Sequence, residues 1–372
     1  MNFDFDEQQH SFRDSVARFL AEACPLERHA ATSDHWRELA ALGLFALLVP
    51  EENDGLGLSF VDMALVVEEL GKALMPLGVA ETIVATDVIA RFGSVEQKQR
   101  LLPAIAAGEL RVALAILEPD CSYDPRDVRA TVSRDILSGG KMLVPDAARC
   151  DLLLVVAQSV ETGSPTLVLV DRLAANLDLL PENTIDPTAS FHAVTLDNVP
   201  AEPLGAGTSE GAVARLMDVA AAVYAGLLTG VAGRVLDLSV DYARQRIQFG
   251  KAIGSFQAIK HKCADMAVTV DAARSAAYYA FWAIAEDAPD RTRAVSMAKA
   301  YCGDAARQAC NDGIQIHGGM GFTWELGLHH YLRRSKVMEY AFGDAAWHRE
   351  RVVAETLSAL AVDMVSKARA AA

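Results

Sequence analysis

Apolar residues recur three and four positions apart from about residue 3 to residue 111, which is the spacing of one face of a helix. Stretches containing Gly and Pro at 49–57 and 74–78 interrupt this pattern, as expected of loops between helices. The pattern therefore predicts a helical region. Its clearest examples are two sets of residues: Phe12, Val16, Phe19 and Leu20, and Met63, Val66, Val67 and Leu70.

The texture changes between about Val112 and Gly207. Short apolar runs bounded by turn residues replace the helical spacing, and these runs are typical of strands. They lie at 152–157, 166–170 and 191–196. We expect a β region of modest size here.

Helical spacing resumes after Ser209 and continues to the end of the chain, with long Ala-rich segments at 212–246, 257–286 and 292–313. The stretch from Val219 to Gly233 has no charged residue, but it is shorter than the roughly 18 to 20 residues that span a bilayer. We interpret it as a buried helix.

The order of helices, strands and helices indicates an α+β chain. We predict an N-terminal helical domain at 1–112, a middle β domain at 113–207 and a C-terminal helical domain at 208–372. Apolar residues make up 52% of the 372-residue chain, which excludes disordered and low-complexity classes.

The formal charge is −15, which repels nucleic acids and anionic lipids. We therefore expect neither as a partner. The acidic N-terminus lacks a secretory pattern, which predicts a cytoplasmic protein. Six scattered cysteines without Cys/His ligand spacing favour reduced thiols over disulfides or a metal site.

Four segments carry a more specific signal. Residues 36–58 contain WREL, LVPEE and GLGL, and residues 93–109 contain QK, LP and GE. Residues 246–257 read RIQFGKAIGSFQ, and residues 315–325 read QIHGGMGFTWE. In this order and spacing they resemble the acyl-CoA dehydrogenase family. The resemblance implies an N-terminal helical domain, a barrel-like middle β domain, a C-terminal four-helix bundle, and FAD as the cofactor.

The last two segments suit an anionic cofactor on physical grounds as well. The planar guanidinium of Arg246 matches a pyrophosphate, and Phe249 offers a flat apolar face. The pair Gly318-Gly319 allows backbone N–H groups to approach an anion closely. The resemblance implies that these segments contact the FAD of a neighbouring subunit through Arg246, Gln248, Phe249, Gln257, Gln315, Gly318 and Gly319.

The family reaction needs a carboxylate that removes the α proton of an acyl-CoA thioester. The resemblance places this Glu at Phe342, ahead of Gly343, or in some members at Ala220. Neither side chain can take a proton. An Arg that many members carry next corresponds to Ala221.

The residues that face the flavin within one subunit also depart from the family. The pattern Thr-Glu-Pro then Gly-Ser-Asp is LEP at 117–119 followed by SYD at 122–124. The pattern Asn-Gly-x-Lys-x-Trp-Ile-Thr/Ser is SGGKMLVP at 138–145. Pro145 has no hydroxyl and no N–H, and Leu143 cannot cover a flavin ring as Trp would.

The preferred interpretation is a non-catalytic subunit of a heteromeric, α2β2 acyl-CoA dehydrogenase, whose homologous partner carries the base and most of the acyl-CoA site. Residues 321–334 resemble members of bacterial steroid side-chain degradation, which implies a steroid CoA ester as substrate. An electron-transfer flavoprotein as electron acceptor is implied by the family.

Three alternatives stay open at the level of sequence. The first is an active homotetrameric dehydrogenase with a displaced base, Glu339 or Asp344. The second is a flavin monooxygenase or oxidase on the same fold. The third is a non-enzymatic scaffold. His329 and His330 are interpreted as structural residues, because no Cys or carboxylate pair lies near them in the sequence.

Overall fold

The computed structural model describes residues 5–24, 35–205 and 210–370, with side chains for 5–24, 35–205 and 211–361. Five α-helices form the N-terminal part, and the cap residues Asp6, Ser59 and Ser94 each begin a helix with a capping box. The helices are α1 (Glu7–Ala23), α2 (Trp36–Ala41), α3 (Phe60–Lys72), α4 (Leu77–Phe92) and α5 (Val95–Ala106). The predicted helical region is confirmed.

The middle part is one mixed sheet. Its strands are β1 (Val112–Ala115), β2 (Thr131–Ser133), β3 (Ile136–Pro145), β4 (Leu152–Ser159), β5 (Pro165–Asp171), β6 (Leu177–Glu182), β7 (Phe191–Pro200) and β8 (Glu202–Pro203). Their order is β6-β7-β3-β2-β4-β5-β8, with β1 parallel to β4 in the register Val112 to Leu152. The three predicted strands correspond to β4, β5 and β7.

The barrel-like form expected for this sheet is wrong. In the described part of the chain the sheet is open, because β6 and β8 lie at opposite ends of the strand order and do not pair. A closed barrel needs a hydrogen-bonded ladder between its first and last strands. Strand β8 has only two residues, so its free edge offers little backbone for a ladder with β6.

The C-terminal part is helical apart from a short hairpin of strands. Helix α8 packs against α6, α7 and α10, which makes the expected helical bundle. The elements are α6 (Glu210–Gln245), β9 (Ile247–Gln248), β10 (Lys251–Ala252), α7 (Gln257–Ala285), α8 (Arg291–His317), α9 (His329–Tyr340) and α10 (Ala345–Ala370). The predicted boundary at 207/208 lies outside the described residues, and the boundary at 112/113 stays a prediction.

Helix α6 is long and apolar enough to cross a membrane by length and composition, but 89% of its most apolar window is buried. It crosses α3 at backbone contact. A Cβ at Gly71 would lie 2.2 Å from the carbonyl oxygen of Leu227, and a Cβ at Gly230 would lie 2.0 Å from that of Glu68. Only glycine fits at these two positions, so α6 is a core helix as the sequence predicted.

A buried arginine joins the three parts of the chain. Arg334 on α9 pairs with Asp186, which follows β6, and donates to the carbonyl oxygen of Met75 at 2.7 Å and to that of Thr188 at 2.9 Å. Opposite charge lowers the pKa of Asp186 against the effect of its burial. These bonds hold α9 against the sheet and thereby fix one wall of a cavity between them.

Candidate functional site

A cavity of about 350 Å³ lies where α4, α6 and α9 meet the sheet. Its volume is at the lower end of the roughly 300 to 1000 Å³ of ligand pockets. The wall is mainly apolar and is formed by Leu77, Leu114, Ile116, Leu117, Tyr123, Met142, Leu143, Pro145, Thr184, Ile185, Phe191, Tyr224, Lys336, Val337, Tyr340, Ala341 and Phe342.

Phe342 lies in this wall in an aromatic cluster. Its side chain is 5% exposed, and its backbone has φ +58°, a conformation that costs a non-glycine residue energy. The ring centroid is 4.7 Å from that of Tyr224 and 5.8 Å from that of Tyr123. The position that the resemblance assigns to the family base thus holds a buried, packed phenyl ring.

Two buried basic side chains bind the backbone carbonyl oxygens of the turn that carries Phe342. Lys299 donates to the carbonyl oxygens of Glu339 and Gly343, both at 2.9 Å, and Nε2 of His348 is 3.1 Å from the carbonyl oxygen of Phe342. Burial lowers the pKa of Lys299 to about 7 and that of His348 to about 2. His348 is therefore a neutral donor at physiological pH, and the turn is fixed.

The second position assigned to a family base lies on α6. Ala220 is fully buried, as is the neighbouring Ala221, and Ala220 lies one turn before Tyr224. Neither alanine is among the described residues that line the cavity. The tyrosine, not the alanine, is what α6 presents to the cavity.

The displaced bases considered from the sequence face elsewhere. The carboxylate of Glu339 is 3.1 Å from Arg307 and 3.2 Å from Lys336, and its side chain packs against Gly303 on α8. Asp344 accepts a hydrogen bond from the N–H of Trp347 at 2.8 Å, which caps α10. Among the described residues of the cavity wall, neither carboxylate is present.

Glu81, on α4, is a carboxyl that the sequence reasoning missed. It is fully buried, accepts a hydrogen bond from the hydroxyl of Tyr224 at 2.7 Å and another from the N–H of Leu114 at 3.1 Å. Burial raises its pKa to about 8. The signal for it was an acid inside the apolar run from Leu77 to Ile89.

The strand that would face a flavin ring has few free donors. Pro145 has no N–H. The N–H of Leu143 donates to Glu182 at 2.5 Å, and that of Met142 donates to the carbonyl oxygen of Leu117 at 2.9 Å. At these three residues β3 therefore has no free backbone N–H group.

Lys141 also lies on β3 and is wholly committed to the interior. Its ammonium is 2.6 Å from Glu118 and also donates to the carbonyl oxygens of Ile116 at 3.2 Å and Val156 at 2.6 Å. Burial lowers its pKa, while Glu118 acts in the opposite direction. This buried ion pair is structural, and it is not part of the cavity wall among the described residues.

The segments at 246–257 and 315–325 lie at neighbouring helix ends and are partly exposed; Ile316, His317 and Gly321 in the second are buried. The rings of Tyr242 on α6 and His317 on α8 stack at 4.3 Å, which joins these ends. The antiparallel pair β9 and β10 projects beyond α6 and carries Phe249, which is 91% exposed. The side chains of Arg246, Gln248, Gln257 and Gln315 are also exposed.

Gly318 and Gly319 follow α8 and face open space. A Cβ added at either would meet no atom within 4 Å, and Gly318 has φ +59°. Their backbone is therefore accessible to a ligand or a partner chain. The two segments carry five exposed apolar side chains, which are 44% to 91% exposed: Ile247, Phe249, Met320, Phe322 and Trp324. We call these five residues the apolar strip.

His329 and His330 are both buried, with ring centroids 4.2 Å apart, and Trp324 packs edge-on against each ring. Burial lowers the pKa of both rings, that of His330 to about 4. They pack as neutral rings at the start of α9. In the described ranges 5–24, 35–205 and 210–370, no group of three or more His, Cys, Asp or Glu side chains could hold a metal ion.

The chain is similar to proteins of one family along most of its length. The sequence profiles of the acyl-CoA dehydrogenase N-terminal and C-terminal domains match residues 6–109 and 211–357. The chain is 30% identical to the probable acyl-CoA dehydrogenase YngJ of Bacillus subtilis, over 94% of this chain and 98% of the relative. It is 34% identical to the acyl-CoA dehydrogenase IpdE2 of Mycobacterium tuberculosis, over 88% and 91%.

Solved structures of dehydrogenases are also similar to this chain. A variant of the steroid ACAD Tcur3481-Tcur3483 is 28% identical with a TM-score of 0.85, covering 95% of this chain and 99% of that chain. An FAD-dependent dehydrogenase has the same identity and TM-score, covering 95% and 98%. The chain therefore belongs to the acyl-CoA dehydrogenase family.

Proposed function

We propose that this chain is the non-catalytic subunit of a heteromeric acyl-CoA dehydrogenase. FAD is the cofactor of the family, and when bound it supplies the hydride acceptor for the α,β-desaturation of an acyl-CoA thioester. The other requirement is a base at the α carbon. In this proposal a homologous partner subunit supplies the base and binds most of the acyl-CoA.

The observation that carries the proposal is the aromatic packing of Phe342. The side chain at the family's base position is buried between Tyr123 and Tyr224, and its turn is fixed by Lys299 and His348. A packed and anchored phenyl ring is a stable replacement for a carboxylate. The position of Ala220 in the core of α6 removes the second location for a base.

An FAD would suit the exposed helix ends of this chain but not its cavity. At the helix ends, the accessible Arg246 and the open backbone of Gly318 and Gly319 suit the pyrophosphate of an FAD held by a neighbour. Gln248, Phe249, Gln257 and Gln315 would complete that contact. In the cavity, Pro145 and the occupied N–H groups of Leu143 and Met142 do not suit a flavin ring held by this chain itself.

The apolar strip supports a partner chain at the same place. Five exposed apolar side chains in the two segments that carry Arg246 and Gly318 are typical of an interface rather than of a free surface. We propose an α2β2 tetramer in which this surface closes the FAD site of the partner. The similarity to the steroid ACAD Tcur3481-Tcur3483 favours a steroid CoA ester as substrate.

Two further points follow from the family and the sequence only. We propose an electron-transfer flavoprotein as the electron acceptor and the cytoplasm as the location. Neither is required by the site itself. The geometry of Glu339 and Asp344 gives no support to an active homotetramer with a displaced base.

The test is flavin content. Expressed alone, the chain is expected to be colourless; co-expressed with a homologous dehydrogenase subunit encoded beside it, it is expected to give a complex with about two FAD per four chains, one for each complete interface. Absorbance at the flavin band against protein concentration measures both. About one FAD per chain in the isolated protein, or four per tetramer, would refute the proposal.

A further inference from the structure

Strand β3 is interrupted by a bulge where it reaches the cavity. Its pairing with β7 shifts register between Lys141 and Val144. Two residues of β3, Met142 and Leu143, therefore lie opposite one residue of β7, and Leu143 has φ +51°. A bulge leaves a residue outside the regular ladder, so its N–H group is available to another acceptor. Both bulge residues line the cavity.

A carboxylate from the edge strand accepts from one of these N–H groups. Glu182 is the last residue of β6, and its Oε2 is 2.5 Å from the N of Leu143. Glu182 pairs with Phe191 on β7, and directly paired residues of an antiparallel ladder point to the same face of the sheet. Because Phe191 lines the cavity, the side chain of Glu182 lies on the cavity face. The bond therefore crosses β7 on this face.

The acceptor oxygen of Glu182 has a chemical equivalent in the flavin ring. The pyrimidine edge of an isoalloxazine carries two carbonyl oxygens, and each needs a hydrogen-bond donor once it is buried. A ring placed against β3 therefore requires N–H groups of this strand. The N–H of Leu143 is such a donor, and the carboxylate of Glu182 already accepts from it. One N–H makes one near-linear bond, so a flavin carbonyl oxygen would have to displace the carboxylate.

The neighbouring residues of β3 offer no substitute donor. The N–H of Met142 donates to the carbonyl oxygen of Leu117 at 2.9 Å, and Pro145 has no N–H. The first of these features belongs to the backbone, and the second to the residue type of β3 itself. Of the three obstacles to a ring at this place, only the bond of Glu182 comes from a side chain of another strand.

We propose that Glu182 excludes an isoalloxazine ring from this chain by acting as an internal acceptor for the N–H of Leu143. The inference rests on the proposed function and deepens it, because it names the residue that keeps this subunit free of a flavin of its own. The carboxylate takes the place of a flavin carbonyl oxygen. FAD then binds only at interfaces where the partner subunit supplies the ring pocket.

The test uses the full chain, purified without added FAD, and riboflavin as the probe, because riboflavin carries the ring without the pyrophosphate. Quenching of riboflavin fluorescence measures the dissociation constant. Glu182→Ala frees the N–H of Leu143 and is expected to lower this constant about tenfold or more relative to the wild type. Asp178→Ala removes the same charge at an exposed position of β6. It is the matched control and is expected to bind as the wild type does.

Two further variants separate the bond of Glu182 from the other features of the wall. Glu182→Gln keeps an acceptor oxygen at the same reach and is expected to bind riboflavin no better than the wild type. Pro145→Thr restores a backbone N–H, and it is also expected to bind as the wild type does while Glu182 is present. The double variant Pro145→Thr/Glu182→Ala is expected to bind most tightly.

The proposal is overturned if Glu182→Ala binds riboflavin no more tightly than Asp178→Ala, if Glu182→Gln binds as tightly as Glu182→Ala, or if Pro145→Thr alone matches the double variant. Circular dichroism melting shows whether each variant folds. Glu182→Thr, whose side chain is too short to reach Leu143, replaces Glu182→Ala if the latter does not fold. About one FAD per chain in the wild type would refute the non-catalytic assignment, whereas a flavin-free wild type with equal riboflavin binding by all variants would refute only the role of Glu182.

Discussion

The ring of Tyr224 meets the ring of Phe342 edge to face, at 4.7 Å between centroids and 71° between planes. Such aromatic pairs contribute roughly 0.5 to 1.5 kcal/mol beyond the burial of their area. Because Tyr224 is also bonded to Glu81, the ring of Phe342 is part of a continuous packed group that runs from α4 to the turn before α10. Changing Phe342 therefore affects stability as well as any chemistry.

Phe342→Glu is expected to produce no acyl-CoA dehydrogenase activity in the isolated chain. The new carboxyl would be buried near Glu81, and the cavity wall does not suit a flavin. We also expect the free energy of unfolding to fall by about 3 to 5 kcal/mol, through lost packing and burial of a polar group. Urea unfolding and an acyl-CoA assay with an artificial acceptor measure both.

Phe342→Leu is the control for this variant. It keeps an apolar side chain in the cluster, and we expect a smaller loss of stability and again no activity. Measurable dehydrogenation by Phe342→Glu alone would show that this chain holds a complete flavin site after all.

Lys141→Ala is expected to lower the free energy of unfolding by about 3 to 5 kcal/mol, because Glu118 would be left buried without its cation. Lys141 matches the Lys of the family pattern Asn-Gly-x-Lys, yet its contacts are internal. The double variant Lys141→Met/Glu118→Gln is expected to recover part of the loss. Urea unfolding compares the three proteins, and equal stability of Lys141→Ala and wild type would contradict the buried pair.

Glu81 gives a prediction for pH. Its folded pKa of about 8 lies above its ordinary value of 4.5, so the folded chain binds a proton that the unfolded chain releases between these values. The associated stability is present below about pH 4.5 and is lost as pH rises through 8. Glu81→Gln, which stays neutral, is expected to lose this dependence and to be more stable than wild type at pH 8 by about 3 to 5 kcal/mol.

Thermal or urea unfolding at pH 5, 6.5 and 8 tests this expectation. Glu355→Gln, at an exposed position of α10, is the control and is expected to follow the wild type. Parallel pH profiles of the wild type and Glu81→Gln would show that folding does not raise the pKa of Glu81.

Much of the fold was predictable because its signals are local. The spacing of Met63 to Leu70 and the apolar runs of β4 and β5 each lie within one element. The sequence did not indicate that the sheet is open. Closure depends on which strands become neighbours, and the parallel pairing of β1 with β4 joins segments 40 residues apart.

In the candidate site, the exposed motifs were predictable from the sequence, and the contacts between helices were not. The exposure of Arg246 and Gly318 agrees with their motifs, and their role stays a prediction. The pairing of Glu81 with Tyr224 escaped sequence reasoning because the two residues are separated by 143 positions and meet only when α4 packs on α6. The contacts of Glu339 with Arg307 and Lys336 likewise depend on helix packing, so its distance from Phe342 in sequence was a poor guide.

The last prediction separates a cofactor role from general stability at the end of α6. In a complex co-expressed with the partner subunit, Arg246→Ala is expected to weaken the affinity for FAD about tenfold to a hundredfold. The reason is that a charge-assisted contact to a pyrophosphate contributes roughly 1.5 to 3 kcal/mol. Arg244→Ala removes the same charge two residues earlier, where the side chain is 76% exposed and its carboxylate neighbour Asp241 is 4.0 Å away. It is expected to retain flavin, because such an exposed pair contributes little. Equilibrium dialysis of FAD against each purified complex measures the difference. If both variants keep full flavin, this subunit does not clamp the cofactor of its partner; if both lose it equally, the effect is one of the helix end and not of Arg246.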